Sequence, residues 1–333
     1  MPPISPPARM LRFLLLIPLA AATAAAQVAT FSIVAYDPAA GEWGVAVASR
    51  YFSVGSVVPW AEAGVGAIAT QANVNVGYGP RGLELLRRGM TAKQVLDRLL
   101  KEDKFEGKDG RQVAIVDSKG NIAAYTGPKA SSWAGDRQGK NWSAQGNILV
   151  GPQVVESMGR AFETTEGELA EKLYAAVQAG DQAGGDARGK QSASMLLVRK
   201  QGGRNLNNNR PIYINVDDNP HPLEELRRLL DLNLGYLYQD RTSKFLDAGQ
   251  TEQAREAIQK VIHYSPQRAD GHLTLGLLDY SAGDKTGALA ELSQARSLAD
   301  NASFRVQFEA AAHRPAFQAI LEDREFLRQL FGE

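Results

Sequence analysis

The sequence predicts an α+β domain of helices packed on antiparallel sheets, followed by an all-α domain. Two observations carry this reading. From Thr30 to Asp218, short apolar runs alternate with Gly-rich turns and a few helices, in the order strand pair, helix pair, strand pair. That order suits helices laid over antiparallel sheets better than alternating βαβ units. After Pro220-His221-Pro222 only helical periodicity remains. The divisions are therefore 1–29 for a targeting segment, 30–220 for the α+β domain and 221–333 for the helical domain.

The elements follow in chain order. Phe31–Ala35 is a short strand, Pro38 to Gly41 a turn, and Trp43–Ser49 a second strand rich in Val and Ala. Gly64–Gln71 is a third strand with close-packing glycines. Pro80-Arg81-Gly82 leads into a helix over Leu83–Arg88, and a second helix spans Ala92–Lys101 with Thr91 as N-cap. Gln112–Asp117 and Ile122–Thr126 form a hairpin around Ser118-Lys119-Gly120-Asn121. Residues 128–141 read as a loop, Pro152–Thr165 and Leu169–Gly180 as amphipathic helices, and Ser192–Arg199 and Ile212–Val216 as returning strands.

The helical half contains a repeat. Gly249 recurs as Gly283 and Ala254 as Ala288 at the same interval, with Leu273, Gly276, Leu277 and Tyr280 around the second copy. The pattern resembles the tetratricopeptide repeat, a helix–turn–helix unit with small residues where its helices touch. Two copies span Tyr236–Ala269 and Asp270–Ser303, Leu223–Leu234 packs ahead of them, and Pro315 to Phe331 forms an amphipathic cap. A generic helical bundle is the alternative. Two repeats rarely stand alone, so docking on the first domain, self-association or recruitment of a protein partner is expected.

Composition narrows the chemistry. Lys plus Arg equals Asp plus Glu at 37 each, so no basic excess points to nucleic acid. There is no cysteine, and His221, His263, His272 and His313 lack metal-ligand spacing. Neither a metal nor a cofactor is expected. Arg9 and Arg12, the apolar run Leu14 to Leu19 and the small residues Ala20 to Ala26 form an export signal. The chain is thus expected in the periplasm or outside the cell, with no membrane association once the signal is removed. An uncleaved N-terminal anchor is the alternative. Cleavage before Gln27 and cleavage before Thr30 both remain open.

The second position matters because Ala29-Thr30-Phe31-Ser32-Ile33-Val34-Ala35-Tyr36-Asp37 opens the first strand with a hydroxyl residue. A cut before Thr30 would create a free α-amine beside that hydroxyl. Such an amine can serve as general base, so no histidine is needed.

Several runs, in order, resemble the DUF1028 family, a branch of the Ntn (N-terminal nucleophile) hydrolase superfamily. They are Thr30 to Asp37, Gly44 to Arg50, Gly66 to Ala72, Tyr78 to Gly82, Arg111 to Val113, Ser143 to Asn147, Gly184 to Ala193 and Val216 to Asp218. The resemblance implies a four-layer αββα sandwich. It also implies Thr30 as nucleophile through Oγ1, its own α-amine as base, and a small or peptide-like amide as substrate. Ser32 is the second hydroxyl, on the same strand face by alternation.

The neighbouring residues have two readings each. Arg50 tunes the amine or clamps a substrate carboxylate, or forms a structural ion pair. Gly146-Asn147 donates to an oxyanion, or makes a turn. Asp186 orients the amine, or forms a turn-stabilising pair with Arg188. Gln71 and Arg188 are further substrate-binding candidates, and Trp133, with Trp142, is an aromatic wall or core.

One departure stands out. The proteasome-like members carry an Asp in the second strand and a Lys on the third. This chain reads Ala46-Val47-Ala48-Ser49-Arg50 and Glu62-Ala63-Gly64-Val65 there. A binding or scaffold protein without catalysis, in one version associated with the cell wall, is therefore the alternative function.

Overall fold

A computed structural model describes residues 30–130, 132–205 and 207–332. The expected targeting segment, residues 1–29, lies outside the described residues. The first half supplies ten strands: β1 (Thr30–Asp37), β2 (Glu42–Ser49), β3 (Pro59–Glu62), β4 (Gly66–Ala72), β5 (Arg111–Asp117), β6 (Ile122–Thr126), β7 (Trp133–Gly139), β8 (Trp142–Leu149), β9 (Ser192–Val198) and β10 (Ile212–Val216). Four helices lie among them: α1 (Tyr78–Arg87), α2 (Ala92–Glu102), α3 (Gln153–Thr164) and α4 (Leu169–Gln182).

The strands form two antiparallel sheets. One has six strands in the order β10-β9-β2-β1-β8-β7, and the other four in the order β3-β4-β5-β6. Alternation along each strand builds the layers. In β1, Phe31, Ile33 and Ala35 face α3 and α4, where Met158, Leu173 and Val177 complete the core. Val34 faces the other way and meets Val45, Val47, Ala67, Ala69 and Ala114 between the sheets. A third cluster joins Ile68, Val113 and Ile115 to Leu85, Val95 and Leu99 on α1 and α2. The layer order is helices, sheet, sheet, helices.

The second half is helical: α5 (Pro222–Asp247), α6 (Thr251–Tyr264), α7 (Ala269–Ser281), α8 (Lys285–Leu298), α9 (Asn301–Ala312) and α10 (Arg324–Phe331). Leu223, Leu226 and Leu230 of α5 belong to the same buried cluster as Phe31 and Met195 of the six-stranded sheet. Polar contacts reinforce the junction. Tyr174 donates to Leu223 O at 3.2 Å, and Arg227 pairs with Glu171 at 2.7 Å.

Three expectations are corrected. Residues 128–141 are not a loop throughout, because β7 pairs with β8 and closes one edge of the larger sheet. A separate strand, β3, precedes β4. Leu223–Leu234 is not a separate helix but the first half of the 26-residue α5. Gly235 lies within that helix, where a side chain would meet Ser265 Oγ at 2.5 Å. It serves close packing there, not a break.

Candidate functional site

Between the sheets the apolar core stops short of one end, and a buried polar layer takes over. Thr30 and Ser32 continue the inward face of β1 beyond Val34, and both are fully buried. Antiparallel register brings their neighbours alongside: Thr30 lies opposite Ser49 of β2 and opposite Asn147 of β8. Gln71 and Gln112 reach across from β4 and β5 of the facing sheet.

The hydrogen bonds form one connected network. Thr30 Oγ1 and Ser49 Oγ lie 3.0 Å apart, with either hydroxyl able to donate. Ser32 Oγ donates to Gln71 Oε1 at 2.6 Å and accepts from Gln145 Nε2 at 2.6 Å. Ser143 Oγ donates to Gln145 Oε1 at 3.0 Å. Gln71 Nε2 donates to Gln112 Oε1 at 2.8 Å and to Thr30 O at 3.3 Å. Gln112 Nε2 in turn donates to Gly146 O and Thr126 Oγ1, each at 2.9 Å. Such a layer is costly unless satisfied, and it holds its members in one geometry.

One atom is left out. Asn147 Nδ2 donates to Gln112 Oε1 at 3.1 Å and to Thr30 O at 3.4 Å. Both partners are acceptors, so flipping the amide would set oxygen against oxygen. The orientation is therefore forced, and Asn147 Oδ1 is buried with no hydrogen-bond partner among the described residues. The backbone beside it is unusual as well. Trp133 pairs with Leu149 but Gly135 with Gly146, so β8 carries one extra residue, a bulge at Asn147-Ile148. Ile148 takes φ 53°, a left-handed conformation that β-branched residues rarely adopt. Bulges and strained residues of this kind re-aim side chains and concentrate at functional sites.

The other predicted residues sit around this layer. Arg50 follows Ser49 and is exposed. Its guanidinium donates to Lys190 O at 3.1 Å and has no carboxylate partner among the described residues. Asp186 does not touch the Thr30 side chain. Its carboxylate accepts from Arg50 N at 3.0 Å and from Arg188 Nη2 at 2.9 Å, an ion pair that pins the loop before β9 to the end of β2. Arg188 is thus engaged with Asp186 at the rim. Trp133 is partly buried against the core under α3, and Trp142 is fully buried beside Phe162. Neither stands in a loop. Gly146-Asn147 lies in β8, not in a turn. Exposed Phe52 and Val150 follow β2 and β8 at the same end of the sheet.

Sequence reasoning did not single out Ser49, Gln112, Gln145 or Ser143 as site residues. The period-two pattern Ser143, Gln145, Asn147 along β8 is the signal that could have found two of them. Among the described residues, no group of three or more His, Asp or Glu is placed to hold a metal ion.

Comparison with known proteins gives a family. No curated protein matches the chain. Among solved structures, the chain is similar to protein SPO2555 from Silicibacter pomeroyi, described as DUF1028. The identity is 29% and the TM-score 0.55, over 61% of this chain and 84% of that one. The family described as "Family of unknown function (DUF1028)" matches residues 30–226, more than half the sequence and all of the layered sheets. The chain therefore belongs to the DUF1028 family.

Proposed function

We propose that this protein is an exported amidohydrolase of the N-terminal nucleophile type, with Thr30 as nucleophile. The observation that carries the reading is the position of Thr30. It opens β1 with its hydroxyl in the buried polar layer, 3.0 Å from Ser49 Oγ and beside the unpartnered Asn147 Oδ1. The order of layers supports an Ntn sandwich. The close contact of Gly276 with Ala288 and Leu292 supports tetratricopeptide-like hairpins in the second half.

In the proposed reaction, removal of residues 1–29 frees the α-amine of Thr30. The amine takes the Oγ1 proton as Oγ1 bonds to the amide carbon, and negative charge develops on the carbonyl oxygen. Collapse breaks the C–N bond, the proton passes to the leaving nitrogen, and an ester remains on Thr30. Water, giving its proton to the same amine, then cleaves the ester and restores Thr30. An α-amine ordinarily titrates near ~7.7–8.0, close to the working range of such a base. Arg50, a cation at the rim without a carboxylate partner among the described residues, suits a substrate carboxylate. Exposed Phe52 and Val150 suit an apolar portion of the same substrate.

A second reading has its own observation. The groups hydrogen-bonded to the Thr30 side chain and carbonyl are hydroxyls and amides, with no ionisable side chain among those bonds. That favours a binding protein without catalysis.

Intact mass spectrometry of the exported protein separates the two. A mature chain starting at Thr30, with amide turnover abolished in Thr30→Ala, is the expected result. A chain retaining residues ahead of Thr30, or turnover unchanged in the variant, would sink the hydrolase reading.

A further inference from the structure

The far end of the helical half carries a groove that the Thr30 chemistry does not use. It lies between α9 and the segment 321–331 and has a volume of about 620 Å³. Phe308, Leu321, Leu327 and Phe331 give it an apolar lining. Arg305, Arg324 and Arg328 stand along it, with Glu309 the one lining carboxylate among the described residues.

The arginines are distributed unevenly over the helices. Arg227, Arg228, Arg241, Arg255 and Arg268 each pair with a carboxylate. Arg324 and Arg328 have none among the described residues. One turn apart on α10, they share a face. Arg305 is held on the opposite wall with its guanidinium carbon 4.5 Å from the centre of the Phe331 ring. A guanidinium fork matches a carboxylate in a planar, two-bond geometry. Arg324 and Arg328 beside an apolar floor therefore select a ligand with acidic groups flanking an apolar side chain, rather than a bare anion.

We propose that this groove is a docking site for a short acidic segment of another protein that carries an aromatic or aliphatic anchor. The proposal does not depend on Thr30 being catalytic.

The probe is a fluorescein-labelled hexapeptide, Asp-Phe-Glu-Leu-Asp-Glu, titrated with the full chain and followed by fluorescence anisotropy. Saturable binding is expected, weakened at least about ten-fold by Arg324→Glu/Arg328→Glu, since charges that guide and hold a partner act strongly when reversed. Both side chains are exposed, so the double variant keeps its fold, and its melting curve checks this. Replacing Phe and Leu of the peptide by Ser should weaken binding by a similar factor. Absence of binding, indifference to the charge reversal, or equal binding of the Ser peptide would each overturn the proposal. So would retention by phosphatidylglycerol vesicles that the double variant loses and the peptide fails to displace, because that outcome assigns the groove to a membrane surface.

Discussion

Asn147 is fixed by what it donates to. Its Nδ2 faces Gln112 Oε1 and Thr30 O, and its Oδ1 faces no donor among the described residues. Asn147→Asp would replace the donor with an acceptor and place a buried negative charge against two oxygens. We expect a loss of about 3 kcal/mol or more at pH 7, measured by urea denaturation. Burial would raise the new carboxyl's pKa, so stability should return as pH falls and the protonated acid regains a donor. Unchanged stability at pH 7 would refute the packing argument. Thr30 and Ser32 stood out in the sequence as hydroxyls on one face of the first strand. Ser49 and Gln112 lie in runs that carry the family resemblance too, but nothing local marks them, and their place in the layer comes from partners 19 and 41 residues away. Of the two readings of Asp186, the pair with Arg188 is the one the loop forms, and the contact with Arg50 N was not legible because it depends on how the folded loop meets the end of β2.

At the level of elements, α2 was read closely, whereas α1 begins at Tyr78 and takes in Pro80-Arg81-Gly82, which were read as leading into a helix over Leu83–Arg88. Thr91 caps α2 as expected, and Gln94 completes a reciprocal capping box with it. The strands β7 and β8 were missed for a physical reason. The β7 sequence Trp-Ala-Gly-Asp-Arg-Gln-Gly has little intrinsic strand preference, and its pairing with β8 supplies the structure. In the helical half, the α7–α8 hairpin depends on one small residue. A side-chain carbon at Gly276 would lie 2.7 Å from Leu292 Cγ and 3.1 Å from Ala288 O. Gly276→Val should force the helices apart and cost about 2 kcal/mol, the middle of the usual range for overpacking of this kind. The checking measurement is the urea midpoint at constant slope. A variant as stable as the parent would show that the hairpin yields easily, and would weaken its likeness to a tightly packed repeat.

Across the whole molecule, one buried apolar cluster runs from Phe31 in β1 to Leu330 in α10, so the sheets and the helices share a core. Beside that junction lies a carboxyl displaced far from its ordinary range. Glu42, at the start of β2, is buried and pairs with Arg199 at 2.9 Å. Burial pushes its carboxyl up from 4.5 to about 7; Arg199 and Arg241 pull it down, and Glu168 and Asp37 add to the rise. Glu168 is itself held by Tyr238 and Arg241 of α5, each at 2.7 Å, so the cluster bridges the two halves. Because the folded pKa lies above the unfolded one, the folded chain binds more protons between pH 4.5 and about 7. The stabilising contribution is therefore complete below pH 4.5 and is lost as pH rises through about 7. Glu42→Gln mimics the protonated form. It should come closest to the parent at pH 5 and exceed it by on the order of 3 kcal/mol at pH 8, since a ten-fold change in proton affinity between the folded and unfolded chain is worth about 1.4 kcal/mol. Urea titrations of both proteins at pH 5, 6, 7 and 8 read the difference directly, because pH effects from other carboxylates cancel between them. Parallel stability curves across that range would mean that Glu42 stays ionised in the fold, with Arg199 outweighing the burial around it.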